Sequence, residues 1–163
     1  MSQKTPRILV VDDLPSQGEW VRTTAEQFFH RRGHGWPQVE LVHTQKEAEQ
    51  RLDVINNDSP FDVVISDLCL TDVNPAKFEG YQVLVRAREK QPNARRILVS
   101  SRLDFGGRSD RKDIVDSADC VYIGSDGIDT AERAKRLERS LQRWLSQEFP
   151  QPEPISLFES ETA

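Results

Sequence analysis

Short apolar runs recur along this chain, separated by longer stretches in which apolar residues return at helical spacing. The runs predict strands at residues 7–11, 39–42, 61–66, 96–100 and 120–123. The stretches between them predict helices at residues 16–32, 44–57, 80–91 and 109–117, and a last helix that begins at residue 129 or 130. Strands that alternate with crossover helices predict a parallel sheet with helices on both faces.

Capping signals indicate where the first two helices begin and end. Ser16 with Glu19, and Thr44 with Glu47, fit the capping box, in which a hydroxyl accepts a hydrogen bond from the amide three residues on. Basic residues followed by Gly33 predict the end of the first helix. At helical spacing, the buried face of that helix is predicted to comprise Val21, Ala25, Phe28 and Phe29.

Composition limits the function classes further. The chain has 163 residues, of which 30% are charged, and a formal net charge of -5 at pH 7. This length favours one domain with a real hydrophobic core, and the charge balance argues against a general nucleic-acid binder. Cys69 and Cys120 are too few for a disulfide framework and indicate a reducing, cytoplasmic setting. Because no apolar run approaches about 18 residues, no membrane span is predicted.

Oxygen-bearing side chains follow several of the predicted strands. Asp12 and Asp13 follow the first strand, Asp67 follows the run 63–66, and Ser100 follows the run 97–99. In an open parallel sheet these strand ends share one edge, where ligands bind. Like charges at short range repel strongly, and a hard divalent cation would resolve that repulsion with few protein ligands. The sequence therefore predicts a site for Mg2+ or Mn2+ at this edge.

These runs, in this order and on this scaffold, resemble the receiver domain of bacterial two-component response regulators. The resemblance rests on Ile-Leu-Val-Val before Asp12-Asp13, on Asp-Val-Val-Ile-Ser before Asp67 and on Ile-Leu-Val before Ser100, and it covers about residues 6–148. It implies an α/β, flavodoxin-like, doubly wound fold with a five-stranded parallel sheet in the order 2-1-3-4-5 and helices on both faces.

By that resemblance, Asp67 would accept a phosphoryl group from a histidine kinase or phosphotransfer protein in a two-component phosphorelay. Asp13 would bind Mg2+ directly, Asp12 would help through a water molecule, and the backbone carbonyl of Cys69 would complete the set with Asp67. A carboxylate can be the nucleophile in such a transfer, and a metal ion neutralises charge there. The chain would be a phosphoacceptor with self-catalysed phosphotransfer and autodephosphorylation, not an enzyme.

Ser100 and Tyr122 would form the switch of such a domain. Ser100 would turn inward to bind a phosphoryl oxygen, and the ring of Tyr122 would rotate with it, because phosphorylation adds charge and strong acceptors. The family also has a lysine at the end of the fifth strand. Here Ser125 occupies that position, or Gly124 if the strand is aligned without a one-residue insertion, and neither supplies a cation.

The missing lysine leaves a second hypothesis open, in which the chain is a phosphorylation-independent pseudo-receiver that acts as a constitutive protein-interaction module. If the cation is replaced and not lost, Arg102 or Lys112 would have to reach the site. A third hypothesis is a metal-dependent phosphohydrolase. For that reaction the chain lacks an evident general acid. An aspartate two residues after Asp67 could act as one, but Cys69 occupies that position.

The remaining expectations concern organisation and partners. Residues 1–148 are predicted to form the receiver domain, and the Pro- and Glu-containing residues 149–163 a disordered tail. Signalling would then depend on an unknown downstream protein or on a homodimer. The family's usual surface for such contacts is formed by the fourth helix, the fifth strand and the fifth helix. Direct contact with nucleic acid or with a membrane is not expected.

Overall fold

The structure, a computed structural model, describes residues 5–53, 60–67, 70, 79–100, 120–123 and 130–145. The described strands are β1 (Arg7–Val11), β2 (Gln38–Val42), β3 (Val63–Asp67), β4 (Arg95–Ser100) and β5 (Cys120–Ile123). The described helices are α1 (Pro15–Arg31), α2 (Gln45–Asp53), α3 (Glu79–Lys90) and α4 (Thr130–Leu145). The helix predicted at 109–117 and the tail at 149–163 lie outside the described residues, so α4 corresponds to the fifth predicted helix.

The strands form one parallel sheet in the order β2-β1-β3-β4-β5. This is the doubly wound arrangement that the resemblance implied. The register brings Val11 of β1 level with Val42 of β2 and with Ser66 of β3. The residues that follow Val11 and Ser66 therefore emerge side by side at the carboxyl edge of the sheet.

Alternate strand residues fill two separate cores, one on each face of the sheet. Leu9 and Val11 of β1 pack with apolar residues of α2 and α3, whereas Ile8 and Val10 pack with those of α1 and α4. The α4 contribution to the second core is Leu137, which is fully buried. The predicted inner face of α1 is confirmed, since the structure buries Val21, Ala25, Phe28 and Phe29.

The predicted start of α1 was wrong. The helix begins at Pro15, its N-cap is Leu14, and no side chain caps it, so Ser16 lies inside the first turn. The physical reason is that proline fixes a helical φ and needs no amide partner at the first helical position. In addition, the amide of Leu14 donates to Oδ1 of Asp12 at 2.9 Å, which turns the chain into the helix and places the N-cap two residues before Ser16.

The end of α1 is as predicted. The C-cap is Arg32, and Gly33 follows with φ +80°. The amide of Gly33 donates to the carbonyl of His30 at 3.1 Å, and the amide of His34 donates to the carbonyl of Phe29 at 3.0 Å. These two bonds form a Schellman motif. The left-handed backbone conformation at residue 33 suits glycine, because glycine has no Cβ.

The second capping prediction was correct for the amide bond. Thr44 Oγ1 accepts the amide of Glu47 at 3.1 Å, and the Glu47 carboxylate lies 3.1 Å from the same hydroxyl. We expect Thr44→Ala to lower the free energy of unfolding by about 1 kcal/mol, because the amide loses its capping acceptor. Ser16→Ala is the matched control and should change stability by less than about 0.5 kcal/mol. Urea denaturation of both variants measures the difference, and equal losses would contradict the assigned caps.

Within the described ranges, none of the helices is both long and apolar enough to cross a membrane.

Candidate metal and phosphoryl site

Three carboxylates meet at the carboxyl edge of the sheet. Asp12 and Asp13 follow β1, and Asp67 is the last residue of β3. One ligand oxygen from each carboxylate lies within 4.8 Å of the others. Asp12 is buried, with 2% of its surface exposed, whereas Asp13 and Asp67 are half-buried and open toward solvent. Solvent therefore reaches the cluster at Asp13 and Asp67.

The backbone and the side chain of Asp12 are both fixed by hydrogen bonds. Its amide donates to the carbonyl of Val42 at 3.1 Å, which continues the β1–β2 ladder by one step. Its Oδ1 accepts the amide of Leu14 at 2.9 Å. This short turn directs the chain out of the sheet and into α1, and it leaves Asp13 between two constrained residues.

Burial changes the acidity of this carboxyl. Desolvation is the main reason that the pKa of Asp12 is raised from 3.8 to about 6. The hydrogen bond from the Leu14 amide opposes part of this shift, and the negative charge of Asp13 adds to it. The charge of His43 is a smaller influence that lowers this pKa. Near neutral pH the carboxyl of Asp12 is still largely ionised, but its ionised form is disfavoured, as expected of a carboxylate that gains from a nearby cation.

His43 is part of this neighbourhood, although no sequence pattern pointed to it. It follows β2 directly, and its Nδ1 lies 2.9 Å from the backbone carbonyl oxygen of Asp12. A carbonyl oxygen only accepts hydrogen bonds, so Nδ1 carries the hydrogen in this contact. The one available signal was that His43 follows β2, the strand that lies beside β1 in the order 2-1-3-4-5.

Gly18 allows α1 to approach the same corner closely. A Cβ at this position would lie 2.8 Å from Cδ1 of Leu41 and 3.5 Å from Cβ of Asp12. The missing side chain thus makes room for the close packing of the first turn of α1 against β2 and the acid cluster. Sequence reasoning missed Gly18 too, because a glycine inside a helix ordinarily indicates only reduced helix propensity.

The backbone of Asp67 is tied to its own strand. Ser66 is fully buried, and its hydroxyl donates to the carbonyl of Asp67 at 3.0 Å. In the β3–β4 register Asp67 is level with Val99, and Val99 is level with Tyr122 of β5. Ser100, one residue farther along β4, pairs with Ile123.

The structure thus brings together the three predicted acids. The other predicted site residues, or their side chains, lie outside the part that the structure describes. The backbones of Ser100 and Tyr122 lie in β4 and β5 near this edge, but their side chains lie outside the described part. Cys69 and the two candidates for the lysine position, Gly124 and Ser125, lie at residues the structure does not describe. Their predicted roles stay predictions.

The donor set fits a hard divalent cation. Carboxylate oxygens are the ligands that Mg2+ prefers, and Mg2+ commonly binds through one or two carboxylates while it keeps several waters. Asp13 and Asp67 are half-buried and can offer oxygens directly, whereas the buried Asp12 has one oxygen engaged by the Leu14 amide. The cluster can therefore hold Mg2+ or Mn2+.

No family model and no curated protein matches this sequence. Solved structures do share its fold. The BeF3-activated receiver domain of DrrB from Thermotoga maritima is 19% identical over 88% of this chain and 99% of that domain, with a TM-score of 0.54. The signal receiver domain of a Luxo repressor protein from Vibrio parahaemolyticus is 19% identical over 88% of this chain and 92% of that domain, with a TM-score of 0.59.

A third structure is the isolated receiver domain of RcsB from Salmonella enterica serovar Typhimurium in the presence of phosphomimetic BeF3. It is 13% identical over 86% of this chain and 90% of that domain, with a TM-score of 0.58. At such identities the likeness concerns the fold. The chain has the fold of response-regulator receiver domains.

Proposed function

We propose that this chain is a response-regulator receiver that accepts a phosphoryl group on Asp67 and signals through protein contacts. The observation that carries the proposal is the convergence of Asp12, Asp13 and Asp67 at one edge of the sheet, with ligand oxygens within 4.8 Å. That edge is where doubly wound sheets bind their ligands. The receiver fold supports the same assignment, because its acids would occupy these strand ends.

In this proposal Asp67 is the nucleophile. A carboxylate oxygen of Asp67 attacks the phosphorus of a phosphohistidine on a histidine kinase or phosphotransfer protein; the O–P bond forms as the P–N bond breaks, and the imidazole takes the electron pair. Mg2+ or Mn2+, bound by Asp13, Asp67 and the Cys69 carbonyl, with Asp12 acting through water, would neutralise the charge of the reacting oxygens. The hydrogen bond from Ser66 to the Asp67 carbonyl supports a fixed nucleophile.

The switch assignment is part of the same proposal. Ser100 would bind a phosphoryl oxygen, and Tyr122 would move with the loops that follow β4 and β5. Their backbones lie near the site edge, since Tyr122 is level with Val99 and Asp67 across the sheet. The change would be read by a downstream protein or a second copy of the chain at the surface that includes β5 and α4.

Intact-mass spectrometry after incubation with Mg2+ and acetyl phosphate tests the proposal. We expect the wild type to gain one phosphoryl group and Asp67→Asn to gain none, because the nucleophilic oxygen is lost. Asp62→Asn is the matched control and should be phosphorylated like the wild type. Asp62 lies at the opposite edge of the sheet, where its Oδ2 accepts the amide of Arg7 at 2.9 Å.

A wild type that gains no phosphoryl group and binds no beryllofluoride would contradict the proposal and favour the phosphorylation-independent interaction module. A phosphoryl group that persists in Asp67→Asn would contradict the assignment of the nucleophile. Turnover of small phosphate esters by the wild type would instead favour the phosphohydrolase.

A further inference from the structure

Strand β2 ends beside Asp12 and Asp13. The amide of Asp12 bonds to the carbonyl of Val42, as in a parallel ladder. Thr44, two residues after Val42, caps α2, so the strand cannot extend farther along β1. Between them, His43 directs its ring back to β1, and Nδ1 lies 2.9 Å from the Asp12 carbonyl. A side chain thus contributes a hydrogen bond to Asp12 where β2 ends.

This bond acts on the peptide that leads to Asp13. The carbonyl of Asp12 belongs to the peptide between Asp12 and Asp13, so a donor at that oxygen restricts the rotation of this peptide plane. The next peptide ends in the amide of Leu14, which is bound to Oδ1 of Asp12 at 2.9 Å. Asp13 consequently lies between two peptide planes that are both fixed, and the direction of its Cα–Cβ bond is fixed with them.

We infer that His43 is a positioning residue for the metal site, which it orders through the Asp12 carbonyl and without touching the ion. The inference rests on the metal site of the proposed function. Groups that orient metal ligands in this way commonly change metal affinity by about 10- to 100-fold when they are removed. The ordering matters most for Asp13, because the peptide planes on both sides of its Cα are held by the bonds at the Asp12 carbonyl and the Leu14 amide.

The chemistry of the ring gives two informative substitutions. His43→Asn places an amide NH2 at nearly the position of Nδ1 and can donate to the same carbonyl. His43→Ala removes the donor and leaves the backbone unchanged. His30→Ala is the control for loss of an imidazole elsewhere, since the His30 ring stacks on the exposed ring of Trp36 at 4.2 Å, at the far end of α1.

Titration of the full chain with Mn2+ at pH 8, followed by the electron paramagnetic resonance signal of the free ion, measures the effect. We expect His43→Ala to bind Mn2+ about tenfold more weakly than the wild type. His43→Asn should remain within about threefold of the wild type, and His30→Ala should be unchanged. Thermal unfolding of each variant confirms that it is folded at the temperature of the titration.

A nuclear magnetic resonance signature separates this role from simple packing. Nitrogen-15 shifts of the His43 ring should show the neutral tautomer protonated on Nδ1, and hydrogen exchange at the Asp13 and Leu14 amides should quicken in His43→Ala but not in His43→Asn. A ring protonated on Nε2 alone, unchanged Mn2+ affinity in His43→Ala, or no rescue by His43→Asn would overturn the inference. A wild type that binds no Mn2+ would overturn the metal site itself, and the inference with it.

Discussion

In metal-free buffer at pH 8, the free energy of unfolding of Asp12→Asn should be about 2 kcal/mol higher than that of the wild type, so the variant should be more stable. The substitution removes a buried negative charge that lies within the acid cluster. Burial and Asp13 raise the pKa of Asp12 from 3.8 to about 6, and each unit corresponds to about 1.4 kcal/mol against the ionised form. Asparagine keeps the oxygen that accepts the Leu14 amide, but its new NH2 donor needs a partner, which reduces the gain.

The gain should depend on pH in a defined direction. Because the folded pKa of Asp12 lies above the unfolded value, folding favours the protonated carboxyl. That favourable contribution is fully present below about pH 3.8 and is lost as pH rises through about 6. The advantage of Asp12→Asn should therefore be small at pH 4, grow up to pH 6 and level off above it. Urea denaturation at pH 4, 6 and 8 measures the three values.

Asp53→Asn is a control of opposite sign. Two hydrogen bonds from Arg86, each 2.7 Å long, lower the pKa of the Asp53 carboxyl. Its contribution to stability is present above its ordinary pKa and is lost as pH falls, so Asp53→Asn should not be stabilised at pH 8. If Asp12→Asn were no more stable than the wild type at pH 8, burial of the Asp12 charge would not be unfavourable as inferred.

The sheet could be predicted because each of its strands is marked by a local pattern in the sequence. Each strand is a short apolar run, and the alternation of runs with helical stretches determines parallel connections. The acids were predictable for a related reason: carboxyl ends of parallel strands share an edge, so Asp12 and Asp67 had to approach each other once both strands were located. Their convergence within 4.8 Å required no knowledge of distant contacts beyond the strand order.

The features that were missed depend on tertiary contacts. His43 has no ligand-like spacing from His30 or His34, and its bond to Asp12 exists only because β2 pairs with β1 in the observed register. The start of α1 was wrong for a comparable reason. Ser16 satisfies a local capping pattern, but Pro15 and the turn closed by Asp12 begin the helix before that pattern applies.

The affinity of the proposed metal site for Mg2+ should vary with pH. A proton on Asp12 competes with the metal, and the pKa of Asp12 is raised to about 6 by burial. We therefore expect the apparent Mg2+ affinity to weaken about tenfold between pH 7 and pH 5. Competition of Mg2+ against Mn2+, followed by the resonance signal of the free Mn2+, measures the affinity at each pH.

Asp12→Asn supplies the decisive comparison, because it removes the titrating group and the unfavourable charge together. Its Mg2+ affinity should be lower than that of the wild type at pH 7 and nearly independent of pH between 7 and 5. Mg2+ at 100 times its dissociation constant should add about 2.7 kcal/mol to the stability of the wild type. The weaker-binding variant should gain less, so Mg2+ should reduce its advantage in stability. A wild-type affinity that stays constant from pH 7 to 5 would mean that Asp12 does not take part in metal binding.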